Sequence, residues 1–132
     1  MRDDRAFLED ILERIRLTDE FLQPGRDEFF RSRLIQEAVI RNLEIIGEAS
    51  RGISETLRLQ HPEVPWKQIA AFRNFVIHVY WGIKLDRVWE IVEKELPTLE
   101  SQIVTLLQIL DQQASDEAGL DNDQKSQPPL EN

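Results

Sequence analysis

From Phe30 to Ala49 the apolar residues return at helical spacing and never at the alternation of a strand. Phe30, Leu34, Ile35, Ala38, Val39, Leu43, Ile45, Ile46 and Ala49 form a stripe wider than one neighbouring helix needs. A helix apolar over so broad a face must pack against several others, so the chain is expected to be a helical bundle. Gly47 interrupts this helix at a cost of about 1 kcal/mol relative to alanine. The simplest compensation is the close approach of another helix.

The rest of the chain fits the same scheme. Residues 3–23 place Phe7, Ile11, Ile15 and Phe21 or Leu22 on one side with charges between them, an amphipathic helix stopped by Pro24 and Gly25. The broad helix begins near Arg26 or Asp27 and runs to about Arg51, where Gly52 ends it. A short helix follows over 54–60. Pro65 is suited to open another over 65–81, closed by Gly82. Asp86 is placed to cap a final helix, which Pro97 should kink or restart after Leu96. No stretch alternates with a period of two for long enough to suggest a sheet. The expected fold is therefore all-α, an up-and-down bundle of four main helices plus a short one.

Beyond Leu110 the apolar pattern stops. This divides the chain into a helical domain, 1–110, and an acidic tail, 111–132, expected to be disordered and solvated. Of the net charge of −9, the tail's six acids and one lysine contribute −5, which leaves −4 for the body. So acidic a body is no general nucleic-acid binder, and any RNA contact has to be local.

The absence of cysteine excludes disulfides and thiolate metal sites, and two histidines, His61 and His78, argue against a histidine-rich metal site. No apolar run approaches a membrane span, and the N-terminus lacks the layout of a secretion signal; a cytoplasmic location is expected.

The chemistry concentrates in "AFRNFVIHVYWG", residues 71–82. Wound at about 100° per residue, Ala71, Phe72, Phe75, Val76 and Val79 share one half of the helix, the expected core face. The other half carries Tyr80, Arg73, Ile77, Trp81, Asn74 and His78. With Ile77 and Trp81 in its middle, that half reads as a seam against a second surface, for which a two-fold related copy is the commonest source. Arg73 and His78 lie about 140° apart, so one helix aims them poorly at a single atom. Two copies crossing at the seam would bring both pairs around one cleft.

Such a cleft suits RNA cleavage. Arginine offers a permanent forked charge to a phosphate or a developing phosphorane oxygen, and histidine moves a proton near neutral pH. RNA supplies its own nucleophile, the 2′-hydroxyl, so the scheme calls for no cofactor and no metal. The products would be a 2′,3′-cyclic phosphate and a 5′-hydroxyl. Asn74 could orient the histidine or bind phosphate. Taken singly these residues also have ordinary readings: a salt bridge for Arg73, a structural hydrogen bond for His78, packing for Tyr80. Trp66 and Trp89 read as core or cap packing, and His61 as part of the turn before Pro62.

The arrangement Arg73-Asn74-x-x-x-His78-x-Tyr80 resembles the R-x4-H-x-Y signature of the HEPN superfamily, in particular its HepT-like toxins. The segments 33–50, 61–83 and 86–99 resemble the family's sequence blocks in the same order, and the likeness spans about Asp4 to Leu110. It implies a helical homodimer with paired motifs, acting as a metal-independent endoribonuclease toxin of a type VII-like toxin–antitoxin pair. It also implies a nucleotidyltransferase antitoxin that silences the toxin by transferring AMP to the motif tyrosine, here Tyr80. Val79 departs from the acidic or small residue often found between the motif histidine and tyrosine. Two alternatives share the same fold. One is a non-catalytic dimeric partner and AMP-acceptor of a nucleotidyltransferase, binding nucleotide or RNA without cutting it. The other is a purely structural dimer.

Overall fold

The computed structural model describes residues 2–74 and 84–125, with side chains to residue 119. Among these residues there is no strand. The first helix, α1 (Asp4–Phe21), is capped by Asp3, whose carboxylate accepts from the Ala6 N–H at 2.9 Å. It lays Leu8, Ile11 and Ile15 against the long helix α3 (Arg33–Gly52), which answers with Val39, Leu43 and Ile46; each of these six is at most 1% exposed. Truncating a side chain buried to this degree, such as Leu43, to alanine costs about 2–5 kcal/mol.

The helix expected to run unbroken from residue 26 to 51 is two helices. After α2 (Arg26–Arg31) the chain turns extended at Ser32, with φ −99° and ψ 109°, before α3 begins. Ser32 makes the break favourable because its hydroxyl accepts from the Ile35 N–H at 3.2 Å, capping α3. The break lets α2 turn Phe29 into the core, where its ring meets Phe30 at 5.1 Å and Trp89 at 5.5 Å between centroids. Trp89 thus packs at the core margin as expected, its indole N–H bonded to Glu93 at 2.8 Å.

Ser54 caps the short helix α4 (Glu55–Gln60) and also receives Asp4 from the start of α1, its hydroxyl 2.6 Å and its N–H 2.7 Å from that carboxylate. The turn at His61 is closed by the Trp66 indole N–H, which donates to the His61 carbonyl at 2.9 Å, and by His61 Nδ1 lying 3.1 Å from Glu63 Oε1. α5 (Trp66–Ala70) then begins directly after Pro65.

The C-terminal part opens with α6 (Leu85–Glu90), whose N-cap is Lys84. Asp86 lies within the first turn instead of capping it, where its charge still suits the positive end of the helix. Residues Ile91–Glu95 form a π-helical turn that leads into α7 (Leu96–Lys125). Pro97 does not break the helix, since Leu96 keeps helical angles of φ −64° and ψ −39°. The wider turn ahead of it eases the contact between the proline ring and the preceding carbonyls. Val88, Ile91, Leu96, Leu99, Ile103 and Leu106 complete the core, and Leu110 is the last side chain packed against it.

The last helix runs past residue 110. The backbone stays helical through Lys125, although residues 111–119 are all exposed. Asp111 pairs with Arg5 of α1 across the fold, and Gln112 bonds Asp116 one turn on at 3.2 Å; neither contact buries this part of the helix. No helix among the described residues is long and apolar enough to cross a membrane.

Candidate functional site

The segment that carries Arg73 departs from a regular α-helix before it reaches that residue. After α5 the chain tightens into a 3-10 turn, Ala71–Asn74. In such a turn residues three apart eclipse one another. Ala71 is thereby brought onto the side of Asn74, and both are exposed, whereas Phe72 is buried at 5%. The expectation of Ala71 on the core face fails for this reason: about 120° per residue replaces about 100°.

What holds the turn is α3. A Cβ built on Gly47 would lie 2.8 Å from the backbone nitrogen of Arg73, 3.1 Å from the carbonyl oxygen of Ile69 and 3.2 Å from that of Ala70. The glycine therefore meets a close approach, as expected, and the approaching chain is the backbone that presents Arg73. The local sequence supports this contact from both sides. Ile69 and Phe72 sink into the core flanking it, and Ser50 closes the α3 side by donating to the Gly47 carbonyl at 2.8 Å.

The Arg73 side chain is 40% exposed and reaches back across α3, where its Nη1 lies 3.4 Å from Glu48 Oε1. Asn74 is exposed beside it. The structure thus presents a guanidinium at the surface on a backbone pinned to the core. Such a group can take a phosphate in bidentate fashion while one edge stays on a carboxylate. The other proposed members, His78 and Tyr80 together with the seam residues Ile77 and Trp81, lie outside the described residues, as do Phe75, Val76 and Val79.

The residue that the motif did not mark is Glu48. Its signal was its place directly after the close-packed glycine, on the helix against which the motif segment had to lie. Trp66 and His61, set aside as structural, take structural roles through the turn contacts already described.

The profile of the family described as "Ribonuclease HepT-like" matches residues 11–106, a span that includes Gly47, Glu48, Arg73, His78 and Tyr80. "Putative RNase MJ1380" of Methanocaldococcus jannaschii is 44% identical over 103 residues, covering 77% of this chain and 94% of that protein. "Probable ribonuclease HepT" of Thermococcus cleftensis is 39% identical over 106 residues, covering 80% of this chain and 96% of that one. A third relative, "Gamma-glutamylcyclotransferase and putative RNase MJ0434" of M. jannaschii, is 38% identical over 111 residues. The match there takes in 83% of this chain but 50% of the relative. No solved structure matches the chain significantly.

Proposed function

Because the chain belongs to the HepT-like ribonuclease family, we propose that it is an endoribonuclease toxin of a type VII-like toxin–antitoxin pair. Two copies meet along the face of Ile77 and Trp81, and their motif segments line one groove for RNA. Arg73 binds the scissile phosphate and offsets charge on the phosphorane, while His78 takes the proton from the 2′-hydroxyl or returns one to the leaving 5′-oxygen. The 2′-oxygen bonds to phosphorus as the bond to the 5′-oxygen breaks, leaving a 2′,3′-cyclic phosphate and a 5′-hydroxyl. Asn74 binds phosphate beside Arg73. The reaction needs no metal, because the nucleophile belongs to the substrate. A nucleotidyltransferase antitoxin silences the enzyme by transferring AMP to Tyr80, which puts negative charge where the RNA phosphates would lie.

The observation that carries this reading is the seating of Arg73, a half-exposed guanidinium on a backbone held against Gly47. Expression without the antitoxin is expected to arrest growth, with relief by Arg73→Ala and by His78→Ala but not by Val79→Ala. RNA recovered from arrested cells should carry cyclic phosphate ends. Arrest that persists in Arg73→Ala contradicts the assignment. Tyr80 acquiring AMP in a protein that never cuts RNA favours the non-catalytic acceptor.

A further inference from the structure

Glu48 is a carboxylate that the proposed reaction does not use, and it touches the residue on which that reaction depends. It stands on α3 one residue after Gly47, with Oε1 3.4 Å from Arg73 Nη1. Among the described residues it is the only acid within ion-pair distance of Arg73. Its side chain is 56% exposed and that of Arg73 40%, so the pair contributes little to stability and is screened by salt. Its consequence is geometric. Gly47 fixes the backbone end of Arg73, yet a long stem with freely rotating bonds separates that backbone from the guanidinium. Glu48 holds the far end. A guanidinium presents five N–H donors in a rigid fork. The carboxylate engages it at Nη1, which leaves donors for a phosphate.

We propose that Glu48 is a positioning residue that orients the Arg73 guanidinium toward the scissile phosphate, acting through Arg73 and not on the RNA. This rests on the reading of Arg73 as catalytic. A carboxylate beside a groove for a polyanion also repels the substrate, so its removal has a two-sided signature. Glu48→Gln should lower kcat by about two- to fivefold through loss of orientation, the most that an exposed pair can supply, while KM stays level or falls because one negative charge has gone. A residue that only supports the fold would not give that split.

The test uses the full chain, steady-state cleavage of a fluorogenic RNA oligonucleotide, thermal melts and NMR of the Arg73 Nε–Hε group. The expected results are a lower kcat without a higher KM in Glu48→Gln, partial recovery in Glu48→Asp and an essentially unchanged Tm. The double variant Glu48→Gln/Arg73→Ala should be no slower than Arg73→Ala alone, and Arg73 Nε–Hε should become more mobile in Glu48→Gln. An unchanged kcat, a further slowing of Arg73→Ala, or an Arg73 side chain equally ordered without the carboxylate overturns the proposal. Full cleavage by Arg73→Ala would instead overturn the catalytic reading, and the NMR result would still decide whether Glu48 holds the guanidinium.

Discussion

Gly47→Ala tests the link between packing and chemistry with a single methyl group. In an exposed helix this change stabilises by about 1 kcal/mol. Here the new Cβ would sit 2.8 Å from Arg73 N, 0.6 Å short of the 3.4 Å at which ordinary contact begins, and it would crowd the carbonyls of Ile69 and Ala70 at 3.1 and 3.2 Å. All three neighbours are backbone atoms, so no side chain can swing aside. Overpacking of this kind costs about 1–3 kcal/mol. Set against the propensity gain, the net loss is about 0–2 kcal/mol, and each kcal/mol lowers Tm by about 4 °C in a domain of this size. The fold should survive. The 3-10 turn must retreat from α3, however, and it carries Arg73 with it. A displacement of that order at a catalytic group costs about 10- to 100-fold in kcat. Gly119→Ala is the control, since a Cβ there meets nothing within 4 Å; it should keep full activity and an equal or higher Tm. RNA cleavage at 25 °C, with circular dichroism to show that both variants are folded, reads the difference. If Gly47→Ala is as active as wild type and melts no lower, the close approach does not position Arg73 and the reasoning is refuted.

Ser32→Ala removes the α3 cap and should destabilise by about 1 kcal/mol in urea melts, with the activity of the folded protein unchanged; an unaltered midpoint would show that the break at Ser32 needs no cap. The Glu63 carboxyl is held below its ordinary value of 4.5, mainly by a hydrogen bond from its own backbone N–H and also by His61. A depressed carboxyl adds stability that is full above the unfolded value and is lost as pH falls through the lower folded value. Glu63→Gln should therefore melt below wild type at pH 7, with the gap narrowing below about pH 4.5; a gap that is constant with pH would refute the ionic origin. Co-expressed with a nucleotidyltransferase antitoxin, the chain should gain AMP by intact mass, and Tyr80→Phe should not. Addition that survives in Tyr80→Phe assigns the modification elsewhere.

The all-α architecture was legible because one signal, apolar residues at helical period, recurs along α1, α3 and α7 and needs no tertiary information to read. Gly47 was legible for a related reason: a residue costly in a helix interior requires a neighbour that only its missing side chain admits. The break at Ser32 was not. The apolar pattern continues across it, and a serine amid helix formers marks a cap only once the chain direction has changed. Asp86 is the converse case, a good capping residue that Lys84 precedes at the cap position. The length of the last helix was underread because apolar periodicity reports burial, while residues 111–119 are helical and exposed. In the candidate site Arg73 was marked by spacing. The tight turn that moves Ala71 to the surface, and the Glu48 partner 25 residues upstream, depend on the packing of α5 against α3. No periodicity within the segment encodes that.

The central claim, that Arg73 and His78 cut RNA with the substrate's own 2′-hydroxyl, is tested most directly by incubating purified, unmodified protein with RNA in the presence of chelator. Wild type should cleave and leave 2′,3′-cyclic phosphate ends, while Arg73→Ala and His78→Ala, equally folded, should fall by at least about 100-fold. Cleavage that requires added metal, or that proceeds in either variant at the wild-type rate, would contradict the account.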